Sequence, residues 1–292
     1  MIAISSRKVS EQSSGIRECA VANSSHSTTR HEIRARHSCW QVATFIMAFS
    51  VTNRRLASLA YRPQWEAHEF PQLAANEYFC LKVAKRCGFE VPPCRLAEDA
   101  QALVIDRFDL RPDGTYRGFE DFCVLNAKRT DQKYSGSYET SIIKRFQQFA
   151  DSPHNIEDLE KLFTLIAINC ALRNGDAHLK NFGIVYDDVL GVARLAPVYD
   201  LVTTAVYMPN DSMALTLNGS TKWPSAKDLR RLGETRMAAT PSQVKQILER
   251  VANAMSHIAD EVRSYIKEHP EFGEIGERIL EVWEQGRDHA LY

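Results

Sequence analysis

The stretch "RNGDAHLKNFGIVYDD", residues 173–188, follows a long apolar pattern and sets an Asp, a His, a Lys and an Asn within six residues. Polar side chains against a core are costly unless they are paired or used. Asp176 and Asn181 stand five positions apart, after a helical pattern that opens at Asn155 and turns Leu159, Leu162, Phe163, Ile166, Cys170 and Ala171 inward. Phosphoryl transfer needs both groups: a carboxylate to orient or deprotonate the attacking hydroxyl, and an oxygen ligand for Mg²⁺ beside the phosphates. Further on, "LAPVYDLVTT" ends a strand-like stretch at Asp200, where a second hard oxygen ligand is expected. Between them, Lys180 could meet a phosphate and His178 could brace the loop. Taken singly, these are an ordinary turn Asp and Asn, a solvated Lys and a structural His; the combination is what points to chemistry.

The bulk properties set bounds around that loop. With 292 residues the chain can bury one sizeable core or two small ones, and a charged fraction of 25% fits a globular protein. A formal net charge of −1 gives no bulk electrostatic case for direct contact with nucleic acid or an acidic membrane. Seven scattered cysteines without a C-x-x-C pair read as reduced thiols in a cytoplasmic protein. Cys80, Cys87 and Cys94 are evenly spaced, which fits small core residues better than a metal site. The run "CWQVATFIMAFSVTN" is too short for a comfortable membrane span.

The chain divides by pattern into three parts. Residues 1–65 are Ser-rich, mildly basic and without apolar period, an atypical segment not expected to fold alone. Residues 66–110 hold a helix with Leu73, Cys80, Val83, Ala84 and Cys87 on one stripe, ended by Gly88, and then strand-like segments closing at Asp106-Arg107-Phe108. Residues 111–292 open with the turn "RPDGTY" and become mainly helical. Helices are expected over 137–150, from Asn155 with Asp158 as a capping side chain, from Ser225 ("SAKD"), and from Thr240 ("TPSQ"), with a last one around Ile279, Leu280, Val282 and Trp283.

"NGDAHLKNFGIVY…LAPVYDLVTTAVY" resembles the core of the HipA-like serine/threonine kinases, the toxins of bacterial toxin–antitoxin modules. "FPQLAANEYFCLKVAKRCGFEVPP", "LVIDRFD", "YETSIIKRF" and "MALTLNGSTKWPS" follow the same family order. The resemblance runs from about Phe70 to the C-terminus. It implies an α+β, protein kinase-like bilobal fold with a mainly helical C-lobe. It also implies transfer of the γ-phosphoryl of Mg-ATP to a protein Ser or Thr, in a translation component such as an aminoacyl-tRNA synthetase. Asp176 would be the base, Asn181 and Asp200 the Mg²⁺ ligands, and Glu77 the helix Glu that pairs with a nucleotide-binding Lys. Asp106 and Phe108 would lie in the hinge beside the adenine. A HipB-like antitoxin is the implied partner, with DNA reached only through it.

The family pattern also has a Lys-bearing strand and a phosphate-covering loop ahead of the "FPQLAANE" helix. Here no Lys occurs between Lys8 and Lys82, and the nearby cations are Arg54, Arg55 and Arg62. Arg is no isosteric replacement for Lys. The N-lobe therefore reads as reduced or degenerate. A truncated, catalytically inactive pseudokinase that acts only by binding an antitoxin-type partner stands as the alternative. A small-molecule phosphotransferase is third, since its usual His two residues before the Asp is Asn174 here.

Overall fold

A computed structural model of the chain describes residues 55–58 and 70–292, apart from 99, 151–154, 209 and 238. The fold is α+β, with two small antiparallel sheets set against a helical body. In the first sheet β1 (Arg55–Ser58), β2 (Cys94–Leu96) and β3 (Leu103–Asp106) lie in the order β1-β3-β2, with Arg55 opposite Asp106 and Cys94 opposite Ile105. The segment 1–65 lies outside the described residues except for β1, which pairs along β3 as part of this sheet.

Helix α1 (Leu73–Arg86) packs on β2 and β3. Its predicted stripe is buried at Cys80, Val83, Ala84 and Cys87, while Leu73 at the first turn is half-buried. The helix stops where Gly88 takes φ 92°, a left-handed conformation that Gly adopts without Cβ strain. The Cys80 and Cys87 thiols are each pushed up to about 12 by burial, so both sit in the core as protonated, inert groups.

The turn after β3 closes as its composition predicts, with Arg111 N donating to Thr115 O (2.8 Å) and Gly114 at φ 86°. The second sheet, β4 (Gly118–Asp121), β5 (Gly183–Tyr186) and β6 (Arg194–Leu195), has the order β4-β5-β6, with Asp121 opposite Gly183. Because β5 directly follows the loop quoted above, this register brings Asp121 to the loop's exit. Asp121 also caps the short helix α2 (Phe122–Leu125), its Oδ1 accepting from Val124 N at 2.9 Å.

The helix expected over 137–150 begins as a π-helical turn, Tyr138–Ile143, before continuing as α3 (Lys144–Phe149). The wider turn brings Tyr138, Ser141, Ile142 and Ile143 together on the buried side, which a 3.6-residue period cannot do for all four.

Helix α4 (Asn155–Ala171) is buried on nearly all sides from Leu162 onward, as a central core helix should be. Arg194 of β6 donates to both Asp158 oxygens (2.6 and 2.9 Å), a paired fork that ties α4 to the second sheet; the turn that Asp158 is expected to cap lies outside the described residues.

Helices α5 (Ala226–Arg236) and α6 (Pro241–Glu268) start at the predicted boxes, Ser225 with Asp228 and Thr240 with Gln243, and Pro241 sits at the first position of α6. Helix α7 (Gly273–Leu291) packs on α4, α5 and α6 and completes one continuous apolar core that also takes in α1.

Candidate active site

Every turn of the loop after α4 is tied down by named bonds. Arg173 turns the chain with φ 56°. Asn174 N donates to Asn169 O (2.9 Å), its Nδ2 to Asn169 Oδ1 (2.7 Å), and its Oδ1 accepts from Asp176 N (3.2 Å). Gly175 N donates to Thr204 Oγ1 at 2.6 Å, and a Cβ at this residue would collide with the Asp211 carboxylate, which would have to move aside. Leu179 N donates to Lys133 O at 3.1 Å. With its backbone groups so occupied, the loop presents its side chains in fixed positions.

Asp176 points to one side, where Tyr134 Oη donates to its Oδ1 at 2.7 Å. The Tyr134 phenol is raised by burial first and by the Asp176 charge next, so it stays protonated and keeps donating. His178 is buried, with its ring edge-on to Tyr134 at 5.2 Å between centroids. Desolvation holds it well below the usual His range, so it is neutral at pH 7 and braces the loop without adding charge.

Asn181 and Asp200 meet on the other side. Asn181 Oδ1 accepts from His178 N at 3.0 Å, and its Nδ2 donates to Asp200 Oδ2. Asp200 has φ 54°, a left-handed conformation that costs a non-Gly residue energy and tends to persist at functional positions. Burial raises its carboxyl above the ordinary range, while the Lys133 ammonium and the Asn181 amide pull it back.

The donor set fits Mg²⁺. It offers hard oxygens from one amide and one carboxylate, and the two ends of an amide exchange by rotation. Among the described residues no group of three or more His, Cys, Asp or Glu converges, so a cation here would need phosphate oxygens and water to complete its shell.

Lys180 lies in the same turn but its ammonium is paired with Asp121. The pair ties the loop to β4. Its carbonyl accepts from Tyr199 Oη at 2.7 Å.

Tyr199 stacks on Phe108 (5.6 Å, 23°), and both meet Phe119 edge-on, at 5.4 Å from Phe108 and 6.0 Å from Tyr199. Phe108 thus belongs to an aromatic cluster that adjoins Asp200 through Tyr199. Asp106 ends β3 nearby, its N–H donating to Pro93 O at 2.9 Å. Glu77 is half-buried on α1, within electrostatic reach of Cys80 and of Cys94 in β2.

Several contributing residues escape a reading by spacing. Asn76, 0% exposed, donates to Thr203 O and accepts from Thr203 N, both at 3.0 Å, which ties α1 to the segment after Asp200. Trp283 Nε1 of α7 donates to Thr203 Oγ1 at 2.7 Å. Lys133 is 1% exposed, with its ammonium 4.7 Å over the Tyr134 ring; burial lowers it to about 8 against the pull of Asp176 and Asp200. "QKYSG" has no apolar period to flag it, and its only signal is a charged residue next to a chain segment that turns inward.

Two cavities among the described residues, of about 230 and 420 Å³, are not lined by Asp176, Asn181 or Asp200; the larger is lined by Arg173, Trp223 and Asp211 among others. No described helix is long and apolar enough to cross a membrane.

"Putative kinase Y4mE" of Sinorhizobium fredii is 32% identical over 145 residues, 47% of this chain and 34% of the relative. "Putative kinase Y4dM" of the same organism is 29% identical over 163 residues, 51% of this chain and 38% of the relative. The chain thus spans little more than a third of the length of these relatives. Among solved structures, Shewanella oneidensis HipA, seen with HipB and its operator DNA, aligns with a TM-score of 0.60 and 19% identity over 74% of this chain and 56% of its own. The Helicobacter pylori proinflammatory kinase CtkA aligns with a TM-score of 0.52 and 13% identity over 73% and 79%. At these identities the two structures speak for the fold. The HipA-like C-terminal domain family matches residues 15–258. That match covers most of the chain, and this chain belongs to the HipA-like C-terminal domain family.

Proposed function

We propose that the chain is a HipA-like serine/threonine protein kinase that moves the γ-phosphoryl of Mg-ATP to a protein hydroxyl. The observation that carries this reading is that Asn181 of the tied-down loop is bonded to Asp200 while the buried Lys133 ammonium interacts with both Asp200 and Asp176. Asp176 orients the attacking hydroxyl and accepts its proton, with Tyr134 fixing the carboxylate through Oδ1. Asn181 and Asp200 would hold Mg²⁺, and bound Mg-ATP would supply an electrophilic γ-phosphorus with its charge partly screened. The Phe108–Tyr199–Phe119 cluster offers an apolar wall for adenine, beside the backbone of Asp106. Lys180, paired with Asp121, and neutral His178 serve by holding the loop.

The protein substrate is by resemblance a translation component such as an aminoacyl-tRNA synthetase. A HipB-like antitoxin is the proposed partner, in keeping with the HipA structure seen with HipB. A cytoplasmic location follows from that role. The bilobal reading has the small sheet and α1 as a reduced N-lobe and the remainder as the C-lobe.

One sequence fact favours a second reading, a pseudokinase that only binds a partner: the absence of any Lys between Lys8 and Lys82. Calorimetric titration of the full chain with ATP, with and without Mg²⁺, separates the two. A kinase binds in a Mg²⁺-dependent way that Asp200→Asn removes. Asp176→Ala should retain binding and folding but lose phosphotransfer by about a hundred- to ten-thousandfold. Absence of binding at millimolar ATP leaves the pseudokinase.

A further inference from the structure

We propose that Lys133 is the cation that meets the terminal phosphates of the nucleotide, a catalytic residue supplied by the helical body and not by the small sheet. The proposal rests on the kinase reading above and adds to it the identity of the phosphate-binding group.

Phosphoryl transfer needs positive charge fixed where the phosphates lie. No strand of the small sheet carries a Lys: β1 reads RLAS, β2 CRL and β3 LVID. Around the loop, Lys180 is committed to Asp121, His178 is neutral, and the Arg173 guanidinium lies over the Trp223 ring at 5.0 Å.

Among the described residues Lys133 Nζ is buried with no hydrogen-bond partner, its contact being the Tyr134 ring 4.7 Å away. Arg173 Nη1 is buried and unpartnered as well, but its charge neighbour is Cys170, whereas Lys133 interacts with both Asp176 and Asp200. A Lys kept for stability alone reaches water or pairs with an acid, because an unpaired buried ammonium is expensive. Here the backbone holds the residue in place: Lys133 O accepts from Leu179 N of the loop, and the next residue, Tyr134, is bonded to Asp176. The ammonium is therefore registered against the base and lies in the field of both Asp176 and Asp200. A polyphosphate chain is the partner that would satisfy it, since it brings several anionic oxygens to a site that otherwise leaves this cation without an acceptor.

The test compares ligands that differ only in phosphates. Calorimetry of the full chain in Mg²⁺ with ATP and with AMP is run on wild type, Lys133→Met and Lys133→Arg, with thermal unfolding as the fold control. Lys133→Gln provides the same comparison if the Met variant does not fold. The expected result is an affinity for ATP about tenfold or more weaker in Lys133→Met, with AMP within about twofold and partial recovery in Lys133→Arg. Equal losses for ATP and AMP would make Lys133 structural and overturn the proposal. Unchanged ATP affinity would overturn it too, with the kinase reading intact. A wild type that binds neither nucleotide would remove both.

Discussion

An ammonium ion that is 1% exposed carries a cost at neutral pH, and Lys133 makes that cost measurable. Burial takes its pKa from 10.5 down to about 8; Asp176, Asp200 and Cys123 work against the shift and Lys180 adds to it. Below about pH 8 the folded chain must hold the charged form while the unfolded chain solvates it freely, so the penalty is at its fullest. It fades as pH rises from about 8 toward 10.5, where the unfolded chain too releases the proton. A depression of that size is worth about 3 kcal/mol. Lys133→Met should therefore raise the free energy of unfolding measured in denaturant at pH 7 by about 1–3 kcal/mol, and by visibly less at pH 9.5. At this scale the sequence was legible only where contacts are local. Asp176, His178 and Asn181 fall within one loop and can be seen together. Tyr134 lies 42 positions from the Asp176 it orients, and Asp121 lies 59 from Lys180, so no spacing rule could pair them.

Among elements, the helix starts were readable because capping is a dialogue over three residues: Ser225 with Asp228, Thr240 with Gln243. The π-helical turn at Tyr138–Ile143 and the pairing of Asp158 with Arg194 were not readable, since tertiary packing decides both. The closest helix contact was equally hidden. A Cβ at Gly286 of α7 would collide with the carbonyl oxygen of Ala171 at the end of α4, and backbone cannot step aside as a side chain can. Gly286→Ala should thus push the two helices apart and destabilise the protein by about 1–3 kcal/mol in spite of the better helix propensity of Ala. Urea unfolding of the variant checks the sign: a gain in stability would mean that α7 has room to shift.

For the whole molecule, the α+β division and the helical second part followed from apolar periods, whereas the two three-stranded sheets, built from strands of two to four residues, left almost no period to detect. The family match stops at residue 258, but the core does not. Helix α6 runs on to Glu268, and Val262, Phe272, Ile275, Ile279, Trp283 and Leu291 beyond that point are buried in the same cluster as α1 and α4. A chain ended at residue 258 should lose its cooperative fold, seen as a broad thermal transition by circular dichroism; a sharp, wild-type-like transition would make the C-terminal hairpin dispensable.

Thr203 gives the site a clock. Its side chain and both polar groups of its backbone are held, by Asn76 of α1 and Trp283 of α7, and the residue is wholly buried. An amide so enclosed exchanges with solvent only when the core itself opens, on the slowest time scale the protein has. Asp200 is three residues away, with little slack between. The half of the site that would hold the metal is therefore stationary through any turnover, and the movement that admits a protein hydroxyl must come from elsewhere.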